Sequence, residues 1–295
     1  MLARAADDED LDLVVDIAAV DQVAEAVAGV LRDANFHVLS IANNHAFDYG
    51  AAGFVDTIRH LSAAGLQATG LRDSHVVREA RGLRIGVVAL AHYPAFNNVL
   101  EIEASARLVA GLRARVDLVV AYYQLGAEGD PAALLADGPE EFLGEARGDA
   151  RAFAAAMVAA GAGVLVGHGP HVMRAAECID GVPVLHSVGN FVGGGRLRTQ
   201  GLPNVAALPE IAFDASGRFR GVRLHPVTFG PDGNPRPDPT ARAIALADWL
   251  ATQAQGATRA FAPLRFRGAE GQEAAFGEWF QSTSLGSRMR APPRP

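Results

Sequence analysis

The sequence predicts an α/β protein, because apolar residues at helical spacing alternate along the chain with short apolar runs typical of buried strands. The first helical stripe lies within residues 20–33, and a run rich in branched residues follows it at 37–42. A second helical stripe covers residues 51–64. The chain therefore begins with a repeated exchange of helix and strand, which favours helices packed on sheets.

The same alternation continues toward the carboxyl terminus. The predicted elements are, in order, a strand at 84–90, a helix at 103–114, a strand at 117–123, a helix at 149–160 that ends at Gly161, and a strand at 164–166. Beyond residue 171, apolar runs on both sides of Asp180-Gly181 and of residues 215–217 predict two hairpins. A proline-rich loop at 231–239 then precedes a helix at 240–254.

These patterns divide the chain into three predicted parts. Residues 1–34 form a lead-in, interpreted as a first βα unit that is truncated if the true start lies upstream. Residues 35–255 form the principal domain. Residues 256–295 form an extension whose Pro-Arg tail is predicted to be disordered.

Composition excludes several classes of protein. A chain of 295 residues with 49% hydrophobic content can bury a large core. Thirty-three acidic residues against 26 basic ones give a net charge of -7 without a basic stripe, so nucleic acid is not an expected partner. The single cysteine, Cys178, excludes an intrachain disulfide and a multi-cysteine metal cluster.

Targeting signals are also absent from the sequence pattern. The amino terminus turns acidic without an apolar core of signal-peptide length, and no apolar run reaches the roughly 20 residues that a membrane span needs. We therefore expect a cytoplasmic chain without a membrane span. A membrane-associated or exported protein is the alternative if the true amino terminus is missing.

A polar turn links the strand at 37–42 to the helix at 51–64. It contains Asn43, Asn44, His45, Asp48 and Tyr49. Open α/β sheets bind ligands at such positions, because side chains and helix N-termini converge at the carboxyl ends of strands. An Asx turn that leads into the helix is the alternative role for the two asparagines.

A second polar turn follows the predicted strand at 164–166. His168 and His171 lie three residues apart in the segment Gly167 to His171, which also contains a proline. Neutral imidazoles presented by a rigid turn can ligate a divalent metal. Because two histidines three residues apart are common in proteins, a structural or solvent-exposed role is the alternative for His168 and His171.

Several segments resemble the CapA family of capsule and poly-γ-glutamate biosynthesis proteins. Residues 40–50 and 167–172, together with Ser187 to Phe191, resemble the family as a whole, and residues 143–149 resemble one branch of it. The resemblance implies a metallo-dependent phosphatase-like fold, which is a four-layer α/β/β/α sandwich with metal ligands on loops at strand ends.

The resemblance also implies roles for individual residues. Asn44, His168 and His171 correspond to metal ligands, and His45 corresponds to the imidazole that acts on the leaving group or the phosphate oxygens. Three further positions are predicted to contact substrate: Gln124, Arg174 and Asn190. A solvated or salt-bridged arginine is the alternative for Arg174, and a turn-stabilising amide is the alternative for Asn190. The implied cofactor is a divalent metal, namely Mn, Fe or Zn.

The sequence departs from the family pattern at two places. The acidic Gly-Asp and Asn-Leu-Glu motifs are not recognisable before Asn43, and Asp12 and Asp16 lie in a segment that does not match them. Gln124 stands where relatives have histidine, and an amide oxygen is a weaker ligand for a transition metal than imidazole. We therefore expect one metal ion rather than two, and none if the centre is degenerate.

Two functions follow from these observations. The first is a CapA-type capsule or poly-γ-glutamate biosynthesis protein with a metal-assisted hydrolase site for an anionic polymer or a phosphoester. The second is a non-catalytic binding or assembly component on the same fold, with other capsule-assembly proteins as partners.

Overall fold

The computed structural model describes residues 17–19, 24–192, 197–254 and 261–263, the first and last of these ranges by their backbone. These residues form two compact units. Unit 1 consists of the described residues up to Leu125, with Arg151–Val166 and Ile211–Gly221; unit 2 consists of Gly126–Ala150, Gly167–Glu210 and the described residues from Val222 onward. Asp12, Asp16 and the Pro-Arg tail lie outside the described residues.

The helices and strands confirm the α/β fold class. The helices are α1 (Glu25–Asp33), α2 (Gly50–Ala63), α3 (Ile102–Arg113), α4 (Ala150–Ala159) and α5 (Arg242–Ala254). The strands up to residue 124 are β1 (Ile17–Ala19), β2 (Val38–Ser40), β3 (Gln67–Thr69), β4 (Val76–Ala80), β5 (Leu83–Ala91), β6 (Asn97–Asn98) and β7 (Leu118–Gln124). The later strands are β8 (Glu140–Phe142), β9 (Glu145–Gly148), β10 (Val164–His168), β11 (Ala176–Ile179), β12 (Val182–Leu185), β13 (Ala206–Phe213), β14 (Phe219–Phe229), β15 (Pro235–Pro237) and β16 (Phe261–Pro263).

Unit 1 contains two groups of hydrogen-bonded strands. Strand β2 lies between β1 and β3, and all three are parallel. The other group has the order β4-β5-β7-β10, in which β5 and β7 are parallel and β4 is antiparallel to β5. Because parallel strands direct their carboxyl ends to one edge, β2 delivers the turn at Asn43 to the carboxyl edge of its sheet.

The core of unit 1 has two layers that meet along the same strands. On β2, Val38 packs with Ile85, Leu118 and other residues of one cluster, whereas Leu39 packs with Leu61 in the second. Successive side chains of a strand point to opposite faces, so one short strand supplies both clusters. This double burial explains why the run at 37–42 is mostly apolar and does not alternate with polar residues.

Unit 2 is built mainly from antiparallel strands. Strands β11 and β12 form the hairpin predicted around Asp180-Gly181, and β16 pairs with β11 on the other side. Strands β8 and β9 form a separate hairpin, and β15 pairs with β14. Helix α5 buries the side chains that its apolar stripe predicts, including Leu246 and Leu250.

The sequence patterns missed β3, β4 and the β8–β9 hairpin. Strand β4 carries Arg78 and Glu79 in only five residues, and β8–β9 is mostly charged. Such strands lack the apolar run or strict alternation on which the prediction depends. The region between β7 and α4, for which the sequence patterns predict no helix or strand, therefore contains a defined hairpin. Among the described helices, none is both long and apolar enough to cross a membrane.

Candidate functional site

The polar turn of unit 1 lies between β2 and α2, as predicted. Asn43 is buried, and its Oδ1 atom accepts a hydrogen bond from the backbone N–H of His45 at 2.8 Å. This is the Asx turn considered from the sequence, and it leaves the next residue, Asn44, free to turn its side chain elsewhere. The Nδ1 atom of His45 lies 2.9 Å from Oδ2 of Asp48, and both side chains are about half exposed.

Asn44 faces Gln124 at the end of β7. The Gln124 Nε2 atom donates to Oδ1 of Asn44 at 2.6 Å. Gln124 is buried, and its Oε1 atom has no hydrogen-bond partner among the described residues. The structure thus brings together two predicted site residues that lie 80 positions apart in the sequence. It also gives the amide oxygen predicted to bind metal a partner within the protein.

The second polar turn lies in unit 2 and centres on His171. His171 has a φ of 60°, in the left-handed region that residues other than glycine seldom occupy. Its Nδ1 atom lies 2.8 Å from Oδ1 of Asn190. The Nδ2 atom of Asn190 donates to the carbonyl of Pro203 at 3.5 Å, which orients the amide with its oxygen toward the imidazole. In the neutral form of His171 this contact places the proton on Nδ1 and the free electron pair on Nε2.

Glu128 lies beside this imidazole. Its Oε2 atom is 3.8 Å from Nε2 of His171, beyond hydrogen-bond distance, while Oε1 accepts from Arg147 at 2.8 Å. Arg147 is nearly fully buried and also donates to Glu145 at 3.1 Å. Both residues lie in the segment 143–149, to which the sequence analysis assigned no role. In the structure they are members of the ion-pair network that holds Glu128 in place.

His168 ends β10 and differs electrostatically from His171. Burial, followed by the charge of the nearby His171, lowers the pKa of His168 to about 3. The imidazole of His168 is therefore neutral at physiological pH. A neutral imidazole is the form that can ligate a metal.

Arg174 was predicted to contact substrate, with a salt-bridged role as the alternative. Its side chain has no exposed surface. The guanidinium donates to both carboxylate oxygens of Glu140, at 2.8 and 2.5 Å, and to the carbonyl of Ala132 at 2.6 Å. The salt-bridged alternative is therefore the one that the structure shows, because these partners occupy the donors that a substrate would need.

The predicted residues fall into two groups. Asn44, His45 and Gln124 belong to unit 1, and His168, His171, Arg174 and Asn190 belong to unit 2. Within these groups the structure pairs Asn44 with Gln124 and His171 with Asn190. Sequence reasoning did not identify Glu128 or Glu140, because neither belongs to a motif and each is recognisable only by its partner in the structure.

The implied metal can be tested against the available donors. Within the described ranges, no three or more His, Cys, Asp or Glu side chains are placed so that they could hold one ion. In unit 1 the amide oxygen of Asn44 is already bonded to Gln124. Two divalent cations need carboxylates to balance their charge, so the described residues do not fit a two-ion centre.

Sequence comparison decides the family. Residues 20–194, more than half of the chain, match the sequence model of the bacterial capsule synthesis protein PGA_cap. The chain belongs to this family. One relative is the PGA biosynthesis protein CapA of Bacillus subtilis, which is 28% identical over 68% of this chain and 54% of that protein. Another is the capsule biosynthesis protein CapA of Bacillus anthracis, which is 31% identical over 57% of this chain and 43% of that protein. The chain thus spans about half the length of these relatives.

Two solved structures are similar to the PGA_cap chain. One is a hypothetical protein from Thermus thermophilus, with a TM-score of 0.48 and 17% identity over 73% of this chain and 87% of that chain. The other is provisionally assigned as a 5′-nucleotidase from Staphylococcus aureus in complex with α-ketoglutarate, with a TM-score of 0.44 and 13% identity over 77% and 44%. Both TM-scores are below 0.5, so membership of the PGA_cap family rests on the sequence match.

Proposed function

We propose that this PGA_cap chain binds an anionic capsule polymer as an assembly component, and that it does so without a resident two-metal centre. The observation that carries the proposal is the hydrogen bond from Gln124 to Asn44. This bond gives the amide oxygen of Asn44 a neutral N–H donor, whereas in a catalytic metal centre the same oxygen would bind a cation. The capsule role itself comes from the family, and the polymer as ligand comes from the relatives' connection with capsule and PGA biosynthesis.

The polar turn offers suitable groups for carboxylate or phosphoester oxygens. With Oδ1 of Asn44 occupied, its Nδ2 atom is the part of the amide that is left to donate outward. His45 is half exposed, and its pairing with Asp48 through Nδ1 leaves Nε2 outside that pair. An amide donor and an imidazole can therefore contact one anionic group of a polymer chain.

The test is polymer binding after metal removal. Poly-γ-glutamate binding to the purified chain, measured by isothermal titration calorimetry, is expected to survive chelation and dialysis. The Asn44→Ala variant should bind about tenfold more weakly, since a hydrogen bond to a charged group contributes about 1.5–3 kcal/mol. Asn234→Ala, on an exposed residue of unit 2, is the matched control. Loss of binding on chelation would contradict the proposal.

Metal-assisted hydrolysis of a phosphoester or polymer is the second candidate function, and one observation favours it. The bond to Asn190 selects the tautomer of neutral His171 that has its free electron pair on Nε2, and burial keeps His168 neutral, so both imidazoles can present a nitrogen to a metal. A phosphodiesterase assay with added Mn²⁺, Fe²⁺ or Zn²⁺ distinguishes the two functions. Hydrolysis that depends on metal and is lost in His171→Ala would establish the enzyme and overturn the assembly role.

A further inference from the structure

Two hydrogen-bond acceptors face each other in unit 2. In neutral His171 the contact with Asn190 leaves the free electron pair on Nε2. This nitrogen lies 3.8 Å from Oε2 of Glu128, which is too far for a direct hydrogen bond. Among the described residues, Oε2 accepts no hydrogen bond, and Arg147 donates to the other carboxylate oxygen, Oε1. Neither acceptor therefore supplies the donor that the other requires.

The two acceptors are held in a fixed relation to each other. Arg147 holds the carboxylate, and Asn190 holds the imidazole. The backbone N–H of Gly129 also donates to the carbonyl of Pro170 at 2.9 Å, and this bond joins the two loops at the positions next to both side chains. Groups that are already fixed in this way lose little conformational freedom when a ligand binds.

A nitrogen with at least two N–H donors can satisfy both acceptors at once. Hydrogen bonds of about 2.7–3.0 Å reach from one nitrogen to two acceptors 3.8 Å apart. Such a group can enter from solvent, because the side chain of His171 is 35% exposed and that of Glu128 is 18% exposed. A water molecule would satisfy the same geometry. The charge around the two acceptors therefore decides which donor is favoured.

The surrounding charges favour a cationic donor. Arg147 is paired with two carboxylates, those of Glu128 and Glu145, so these three side chains carry one positive and two negative charges. A hydrogen bond to a carboxylate is strengthened when the donor is also charged. Zinc sites use three or four protein ligands, and the described part of the chain provides no group of three His, Cys, Asp or Glu side chains that could hold a metal ion. A primary ammonium group requires only the two acceptors.

We propose that Glu128 and His171 form a binding site for a primary ammonium group, which donates one N–H to Oε2 of the glutamate and another to Nε2 of the imidazole. Arg147 and Asn190 are positioning residues, because each acts through the acceptor that it holds. The site lies wholly within unit 2. It uses none of the residues of unit 1 to which the polymer contact is assigned, so it stands independently of the proposed function.

Titration with methylammonium chloride tests the proposal, and tetramethylammonium chloride supplies a matched cation without an N–H group. Protein labelled with ¹⁵N-histidine is chelated, dialysed and studied by NMR at about pH 8, where an unperturbed imidazole is largely neutral. Methylammonium is expected to shift the Nε2 signal of His171 saturably, and tetramethylammonium is expected to leave it unchanged. Equal responses to the two cations, or a proton on Nε2 in the free protein, would overturn the proposal.

Variants test each acceptor, with binding measured by saturation transfer to the methyl group of methylammonium. Glu128→Gln should weaken binding at least about tenfold, because a charged acceptor is replaced by a neutral amide. His171→Phe removes the other acceptor without touching the ion pair with Arg147, so it tests the site even if Glu128→Gln folds poorly. Glu141→Gln, on an exposed glutamate of unit 2, should bind like the wild type. Unchanged binding in either folded site variant would overturn the proposal.

Two sources can present a primary ammonium group to this site, namely the amino end of a chain and the side chain of a lysine. γ-Glutamylglutamate presents the first, and Nα-acetyl-lysinamide presents the second. The compound that binds more tightly identifies the source, and its binding should be lost when its amine is acetylated. Acetylated compounds that bind as tightly as the free amines would overturn the proposal, since an amide nitrogen has neither the charge nor the second N–H.

Discussion

Gln124 donates a hydrogen bond to Oδ1 of Asn44 at 2.6 Å, and this contact joins the end of β7 to the turn after β2. The resemblance to the CapA family described from the sequence implies histidine at the position of Gln124. The replacement changes the chemistry at one atom, since a histidine nitrogen could share a metal with the Asn44 oxygen, whereas an amide N–H can only donate to it. The geometry of this pair leads to the first prediction.

Gln124→His is expected to raise the amount of zinc that the protein retains. The substitution removes the amide donor from Asn44 and supplies an imidazole in the same buried position. Inductively coupled plasma mass spectrometry after zinc loading and dialysis measures the change. Gln253→His, the same substitution on an exposed residue, controls for binding by any added imidazole. Equal metal contents in all three proteins would contradict the prediction.

Glu140→Ala is expected to lower the free energy of unfolding by about 3–5 kcal/mol, because it leaves the Arg174 guanidinium buried and without its carboxylate. Chemical denaturation measures the change. The neighbouring Glu141 is exposed, so Glu141→Ala should alter stability by less than about 0.5 kcal/mol. Similar small effects from both substitutions would show that the buried ion pair contributes little.

Asp238 is expected to make stability depend on pH in the acid range. Burial raises the pKa of this carboxyl, but hydrogen bonds from Thr240 and Arg242 outweigh burial and lower the pKa below the usual 3.8. The unfolded chain therefore binds a proton at this carboxyl more readily than the folded chain does. The stability that ionised Asp238 contributes is present above about pH 4 to 5 and is lost as the pH falls through the pKa of the folded state.

The measurement is the free energy of unfolding as a function of pH. Asp238→Asn should show a shallower loss between about pH 5 and pH 2 than the wild type, since asparagine takes up no proton. Asp137→Asn, on an exposed carboxylate, should follow the wild-type slope. A slope in Asp238→Asn equal to that of the wild type would assign the acid sensitivity to other groups.

Asn190→Ala is expected to change the tautomer of His171. The wild-type bond to Oδ1 of Asn190 keeps the proton on Nδ1 of the neutral imidazole. Without it, the proton should distribute between both nitrogens, which ¹⁵N chemical shifts of the imidazole report. Asn234→Ala serves as the control. An unchanged tautomer in Asn190→Ala would mean that the loop backbone, and not this amide, orients the ring.

Gly189→Ala is expected to destabilise unit 2 more than Gly181→Ala. The two glycines have φ angles of 82° and 83°, so the backbone strain of a side chain, about 1–2 kcal/mol, is common to both. At Gly189 a Cβ atom would lie 2.9 Å from the carbonyl oxygen of Val205, whereas at Gly181 it meets open space. The crowding should add about 1–3 kcal/mol in chemical denaturation. Equal losses would show that the loop beside Asn190 can adjust.

The sequence predicted those elements whose apolar pattern is strong. Helix α2, strands β5 and β7 and the hairpin at Asp180-Gly181 have the predicted type and differ from the predicted bounds by a few residues. Each has a continuous apolar run or a helical stripe, which reflects burial directly. The β8–β9 hairpin has neither pattern, because ion pairs between side chains distant in sequence hold it in place.

The sequence by itself determined the α/β class, the family and the identity of the two polar turns, since these depend on local patterns and ordered motifs. Only the tertiary structure decided what each polar side chain does. It assigned Arg174 to Glu140, Asn44 to Gln124 and Asn190 to His171. Hydrogen bonds and ion pairs depend on distances of a few ångströms between residues separated by 19 to 80 positions, and no local sequence pattern encodes such distances.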